Sequence, residues 1–284
     1  MITVKVAPFH TYENCLWLEN GIVEAVVSPK RGARLLRYGF AGRENMLREP
    51  EEPELNGHFV RLRRPDGTLL EMPAEYEASS VAGGLKLALL APGPLGLVHT
   101  LEYRLTYGSS ELLICHTLKN AGEQEVCLVP FFTTALEEGG LLAIPQSSED
   151  TGDAPNRLFA VWPGTNMSDP RILWGQDFVL VQQANMRAAR FGMAAEEGSA
   201  AYFNMDSLMI VKYAVQPGAV YPHRGCNIEV MTSEHCTSLI LPEPRTVLRP
   251  GDELTHEESW TLYADIPCPP VDEWPVGESL RGML

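Results

Sequence analysis

The feature that most limits what this chain can become is its rhythm. Short apolar, β-branched and aromatic runs recur along almost the whole length, each closed by turn chemistry. The runs include IVEAVVS (22–28), ARLLRYGF (33–40), LVHTLEYRLTY (97–107), ELLICHTLKN (111–120), FVLVQQ (178–183), LMIVKYAV (208–215) and SLILP (238–242). Between them lie SPKRG, RPDGT, APGPLG, NAGEQ, QPGAVYP and RPGDEL. Strand side chains alternate between two faces, while Gly, Pro, Asn and Asp supply the backbone angles that turns require. Long stretches of 3.6-residue period are absent; MRAARFGMAAEEG (186–198) comes nearest to a helix. The pattern predicts an all-β sandwich or barrel-like architecture. Neither a fixed-period repeat nor a low-complexity linker breaks it, so one domain is expected over residues 1–284. The Pro-rich stretch from 265 to 284, DIPCPPVDEWPVGESLRGML, is expected to wrap the surface irregularly.

Composition narrows the function classes. A chain of 284 residues buries roughly three quarters of its unfolded surface, enough for a sizeable core. Net charge is 22 − 37 = −15, which repels phosphate backbones and anionic membranes and argues against nucleic-acid binding. The one long apolar stretch, LKLALLAPGPLGLV (85–98), is broken by Pro92 and Pro94, so no membrane span is expected. The six cysteines form no CxxC pair and no leader-like pattern opens the chain. All six are therefore read as thiols, with no zinc ribbon, and the cytoplasm is the expected compartment.

Chemistry is suggested by YPHRGCNIEVMTS (221–233). Alternation places Cys226, Ile228, Val230 and Thr232 on one face and Asn227, Glu229 and Met231 on the other. Glutamate is depleted in strands, and the preceding loop carries Tyr221, His223 and Arg224. Lys212 shares a strand face with Leu208, Ile210 and Ala214, where an ammonium needs a partner; Glu229 is the candidate. His58 opens HFVRLRRPDG, a segment that also sets Arg61, Arg63 and Arg64 close together. An Arg fork suits a phosphate or carboxylate. His116 is in phase with Leu112, Ile114 and Leu118 and reads as a core histidine, whereas His10, His99, His235 and His256 show no clustering. No metal-ligand motif and no phosphate-cradling Gly loop is present, and no cofactor is expected. Trp17, Trp162, Trp174 and Trp260 are core residues by default and sugar-stacking rings otherwise. The Asp169–Arg171 DPR sequence is read as an ion pair pinning a turn.

Four stretches, taken in order, resemble the galactose mutarotase-like (aldose 1-epimerase-like) family. They are ENGIVEAVVSPKRGARLLRYGFAGRENML (19–47), LICHTLKNAGEQEVCLVPFFTTALEEGG (113–140), the segment SAAYFNMDSLMIVKYAVQPGAVYPHRGCNIEVMTS (199–233) and VLRPGDELTHEESWTLY (247–263). The resemblance implies an antiparallel β-supersandwich with a sugar cleft on one concave face. It implies anomer interconversion, in which a base removes the anomeric hydroxyl proton and an acid protonates the ring oxygen. Glu229 matches the family's late-strand base. The family's middle His has no counterpart, because Val129 and Pro130 stand in that neighbourhood. His58 or His223 is then the replacement acid, or the protein binds sugar without turning it over. Lys212, Arg61, Asn227 and Tyr221 complete the expected site for a small-molecule carbohydrate.

Overall fold

The structure, a computed structural model, describes residues 2–49 and 56–284. Two antiparallel sheets face each other, with 12 and 10 strands among the described residues. The larger runs Thr3–Phe9, Tyr12–Glu19, Val23–Ser28, Arg34–Phe40, His58–Arg63, Val126–Leu136, Thr237–Pro242, Ile228–Thr232, Ala189–Met193, Phe159–Val161. Two short strands, Leu69–Leu70 and Thr246–Leu248, pair with its fifth and sixth members. The smaller sheet centres on Glu253–Ala264, flanked by Ser207–Tyr213 and Leu112–Asn120.

Alternation explains the layers. Leu18, Tyr38, Phe132, Phe191 and Val230 from the first sheet interlock with Leu101, Ile114, Tyr202, Val211 and Trp260 from the second in one cluster. Tyr38 and Trp260 are both fully buried, and the Tyr38 hydroxyl donates to the Trp260 carbonyl at 2.9 Å, which satisfies its polar tip inside the core. Because this cluster draws on strands from Leu18 to Leu262, we expect one cooperative unit. Limited proteolysis should give loss of full-length protein without two durable fragments of similar size; two such fragments would refute a single domain.

Two segments depart from the expectations. The stretch read as nearest to a helix contains the strand Ala189–Met193, because Ala189, Phe191 and Met193 alternate into the core while Arg190 and Gly192 point away. In the Pro-rich stretch, Glu273–Leu280 is helical. Asp272 caps it by accepting from the Trp274 amide at 2.9 Å, and Val276 and Leu280, four residues apart, are buried together against Leu141, Leu180 and Phe203. The DPR turn is as expected, with Arg171 held to Asp169 at 2.8 and 3.0 Å. No helix is long and apolar enough to cross a membrane among the described residues.

Candidate functional site

Five adjacent strands of the larger sheet turn one face outward to form a cleft. Register puts Phe131 opposite Arg61, Thr133 opposite Phe59 and Ile240, Ala135 opposite Ser238, and Glu229 opposite Ile240. Met231 follows opposite Ser238 and Arg190. These residues share one face because paired residues of neighbouring strands project the same way. All of these but Glu229, together with Arg63, Gly67 and His223, line a cavity of about 280 Å³, at the small end of ligand sites. A second cavity of about 210 Å³ adjoins it, sharing Arg63, Gly67, Phe131 and His223 and adding Arg64, Tyr221 and Arg245.

The carboxylate of Glu229 sits beneath this cleft with no exposed side-chain surface. One oxygen lies 2.5 Å from Arg190 Nη2 and the other 2.5 Å from His223 Nδ1. Gly192, directly across the pair of strands, leaves room for it; a Cβ there would meet Glu229 Cγ at 3.1 Å and Cys226 Sγ at 3.0 Å. The guanidinium of Arg190 lies over the Trp162 ring at 4.4 Å, and Trp162 meets His223 edge-on at 5.1 Å. Thr165 fastens this loop to the Arg190 strand, accepting from the Arg190 amide at 2.8 Å and donating to its carbonyl at 2.9 Å. A buried carboxylate bonded to Nδ1 fixes the tautomer of His223 and leaves Nε2 as its available acceptor.

Glu229, His223 and Arg61 are thus brought together around one cleft, with Tyr221 at the adjoining cavity. Glu229 was expected to project into the cleft; being fully covered, it meets the cleft through His223. Tyr221 accepts from the Gln216 amide at 2.9 Å. Asn227 does not face the cleft. It is buried and bonded on both sides of its amide to the Ala195 backbone, at 2.7 and 2.8 Å.

His58 has no face on the cleft either. It is the first residue of its strand and its phase points inward, where it is fully buried against Thr134 at 2.9 Å and His116 at 3.1 Å. Lys212 is exposed on the other sheet, among Leu113, Cys115 and Glu257, and does not partner Glu229. The clustering of histidines also differs from expectation. His99 and His256 join His58 and His116 in one buried group.

Sequence reasoning missed Arg190, Phe131 and Thr133, and it named Trp162 only as one of four rings read as core by default. Arg190 was hidden because its segment was set apart as the one nearest to a helix, although the alternation of Ala189, Phe191 and Met193 was there to be read. Of the four tryptophans named above, Trp260 is core, Trp17 packs on Phe9 and Trp174 on Phe191, which leaves Trp162 beside His223 at the cleft's edge. Among the described residues no group of three or more His, Cys, Asp or Glu is arranged to hold a metal ion.

Two facing antiparallel sheets with a lined cleft on one outer face define a β-supersandwich. Comparison with solved structures makes the class specific: the chain has the galactose mutarotase-like fold. A galactose mutarotase-like protein from Lactobacillus casei matches with TM-score 0.60 and 12% identity over 88% of this chain and 100% of that one. One from Clostridium acetobutylicum matches with TM-score 0.59 and 8% identity over 93% and 99%. An Escherichia coli K12 protein described as a candidate aldose 1-epimerase matches with TM-score 0.60 and 13% identity over 93% and 100%. No protein-family model and no curated protein matches the sequence.

Proposed function

We propose that the cleft binds a small carbohydrate bearing a carboxylate or phosphate, and that the Glu229–His223 pair interconverts its anomers. The observation that carries this reading is the pair itself. A buried carboxylate holds one nitrogen of an imidazole that lines a cavity furnished with arginines, hydroxyls and aromatic rings. In the proposed reaction His223 Nε2 takes the O1 proton, the C1–O5 bond breaks as the C1–O1 double bond forms, and the imidazolium passes that proton on to O5, two bonds away across C1. Rotation about C1–C2 and the reverse steps close the other anomer, so protons and electrons balance. Glu229 stabilises the imidazolium that forms, and Phe131, which lines the cavity, offers its ring to the sugar's apolar face. Solved proteins of this fold described as mutarotase-like or as a candidate aldose 1-epimerase support the assignment of a sugar as ligand.

One observation favours a second reading, a carbohydrate-binding protein without turnover. Among the described residues lining the cleft, His223 is the only histidine, aspartate or glutamate, whereas ring opening needs both a proton acceptor and a donor. Anomer exchange distinguishes the two readings and is taken up in the Discussion.

The anionic ligand follows from charge. Arg61, Arg63 and Arg190 line the cleft, and Arg64 and Arg245 the adjoining cavity, of a protein with net charge −15. Arg63 donates to the Gly67 carbonyl at 2.7 Å, which orients it across the Asp-Gly turn, and it pairs with no carboxylate among the described residues. A hexuronate or hexose phosphate should bind at least tenfold more tightly than the neutral hexose by titration calorimetry, from one charge-assisted contact of about 1.5–3 kcal/mol. Arg63→Ala should remove most of that difference, and rising salt should erode it. Equal affinity for charged and neutral sugars, unmoved by Arg63→Ala, would return these arginines to the solvated surface.

A further inference from the structure

A line of buried polar groups runs through the sandwich behind the cleft, outside every role given above. Tyr76 Oη meets His99 Nδ1 at 2.7 Å, His99 Nε2 meets His116 Nδ1 at 3.1 Å, and His116 Nε2 meets His58 Nε2 at 3.1 Å. His58 Nε2 lies 3.6 Å from Glu258 Oε1. That same oxygen is 3.1 Å from His256 Nε2, while His256 Nδ1 is 2.6 Å from Glu243 Oε1. Trp260 Nε1 donates to the other oxygen of Glu258 at 2.8 Å, and the His256 ring lies flat on Phe132 at 3.7 Å. An imidazole with a carboxylate at each nitrogen is satisfied only when both nitrogens donate, which makes it an imidazolium.

The line surfaces at one place. Glu243 Oε2 accepts from Gln216 Nε2 at 3.0 Å, and the Gln216 amide donates to Tyr221 Oη at 2.9 Å. Gln216 begins the loop that ends in His223, and this loop holds an unfavourable backbone. His223 and Arg224 have φ of 48° and 70°, followed by Gly225 at 97°. Two successive non-glycine residues in left-handed conformation persist only where surrounding contacts hold them. His223 itself is gripped by Glu229 at 2.5 Å and by Cys226 Sγ, which donates to its carbonyl at 3.2 Å; the rest of the loop is held by Gln216 to Glu243, the Arg245 amide to the Val220 carbonyl at 3.0 Å, and the Cys226 amide to the Pro222 carbonyl at 3.2 Å.

We propose that Glu243 and His256 are positioning residues, a buried charged anchor that fixes the 216–225 loop through Gln216 and so sets His223 against Glu229. The core imidazolium locks the Glu243 carboxylate in place, with Glu258, Trp260 and Phe132 holding the imidazolium from behind. Glu243 in turn gives the loop one charge-assisted bond at its far end from His223. The importance of that placement for chemistry rests on the proposed function; the placement itself does not.

The test is made on the free protein. Gln216 is exposed, so its variants fold. Hydrogen exchange of the Cys226 and Arg245 amides, which bond across the loop, should quicken about tenfold in Gln216→Ala, the size expected for one hydrogen bond to a charged group. It should quicken further in Gln216→Glu, where two carboxylates meet, and return to the wild-type rate or below in Gln216→Lys. Amides of the Ile228–Thr232 strand should stay unchanged throughout. Glu243→Ala, which also strips His256 of a carboxylate, should quicken the loop at least as much as Gln216→Ala, and the double variant should be no faster than Glu243→Ala alone, because both changes remove the same link to the loop. Additive effects would reduce Glu243 to a general contributor to stability, and unchanged loop exchange across the Gln216 series would overturn the inference. If the series behaves as stated while the wild type shows no anomer exchange, the anchor stands and the proposed reaction falls.

Discussion

Glu229→Gln should slow anomer exchange by about 10²–10⁴-fold, the span a positioned general base contributes, equivalent to about 3–5 kcal/mol of barrier. The size follows from what the amide does to its neighbours. In the native pair one carboxylate oxygen meets Arg190 Nη2 and the other meets His223 Nδ1. Glutamine keeps one oxygen and replaces the other with a donor. If the oxygen stays with Arg190, whose charge prefers it, an NH₂ faces His223. The imidazole must then accept at Nδ1 and carry its proton on Nε2, where it cannot take the O1 proton. Volume and packing are unchanged, so the fold should persist and sugar should bind within a few fold of wild type. His223→Ala should lose a similar factor, and the double variant little more, because residues acting as one unit do not add. Saturation-transfer NMR between the two anomers, wild type beside variants, is the measurement. Absence of acceleration by wild type, with affinity lost in the variant, would establish the binding-only reading. Equal binding and exchange in wild type and Glu229→Gln would make Glu229 an ordinary buried ion pair.

Alternation carried the fold. Phe131 and Phe132, or Ile228 and Glu229, fall on opposite faces of their strands for the same steric reason in any sheet, so core and cleft faces could be assigned from residue order alone. The same logic read one step further would have found the buried imidazoles. His99 lies in phase with Leu97, Leu101 and Tyr103; His58 with Val60 and Leu62; and His256 with Leu254 and Trp260. Each histidine falls on the apolar phase of its strand. What sequence did not contain is adjacency. His58, His99, His116 and His256 come from four strands in two sheets, and only the packing of one sheet on the other brings their ring nitrogens within 3.1–3.6 Å of a shared partner. Arg190 escaped for a different reason. Its segment is rich in Ala and Met, good helix formers, and burial against Val230 and Met231 overrode that local preference. Lys212 shows the converse, where a periodic pattern on an edge of the apolar run ended one residue short and left the ammonium in solvent.

The four buried imidazoles also make stability depend on pH from both sides, with a maximum expected near 6.5. Burial holds His99 down to about 4. His58 and His116 are lowered too, by burial first, and for His116 also by the neighbouring histidines. In the unfolded chain each titrates near 6.5. As pH falls below 6.5 the unfolded state therefore takes up protons that the folded state refuses, and stability is lost. For His99 alone the window from 6.5 to about 4 amounts to about 3 kcal/mol, at about 1.4 kcal/mol per pH unit. His256 works in the opposite direction. Burial would lower it, but hydrogen bonds and charge from Glu243 and Glu258 raise it to about 9. Its contribution is complete below 6.5 and disappears as pH rises to about 9, again about 3 kcal/mol. Carboxylates such as Asp169, held low by Arg171, add to the acid loss only below their unfolded value near 4. Between pH 6.5 and 5 the histidines therefore dominate. Urea unfolding from pH 4.5 to 9.5 should show the midpoint falling on both sides of pH 6–7. His256→Gln should flatten the alkaline limb and leave the acid limb in place. A midpoint constant from pH 5 to 9 in wild type would mean that these imidazoles reach water and titrate at ordinary values, and the buried line would not exist as described.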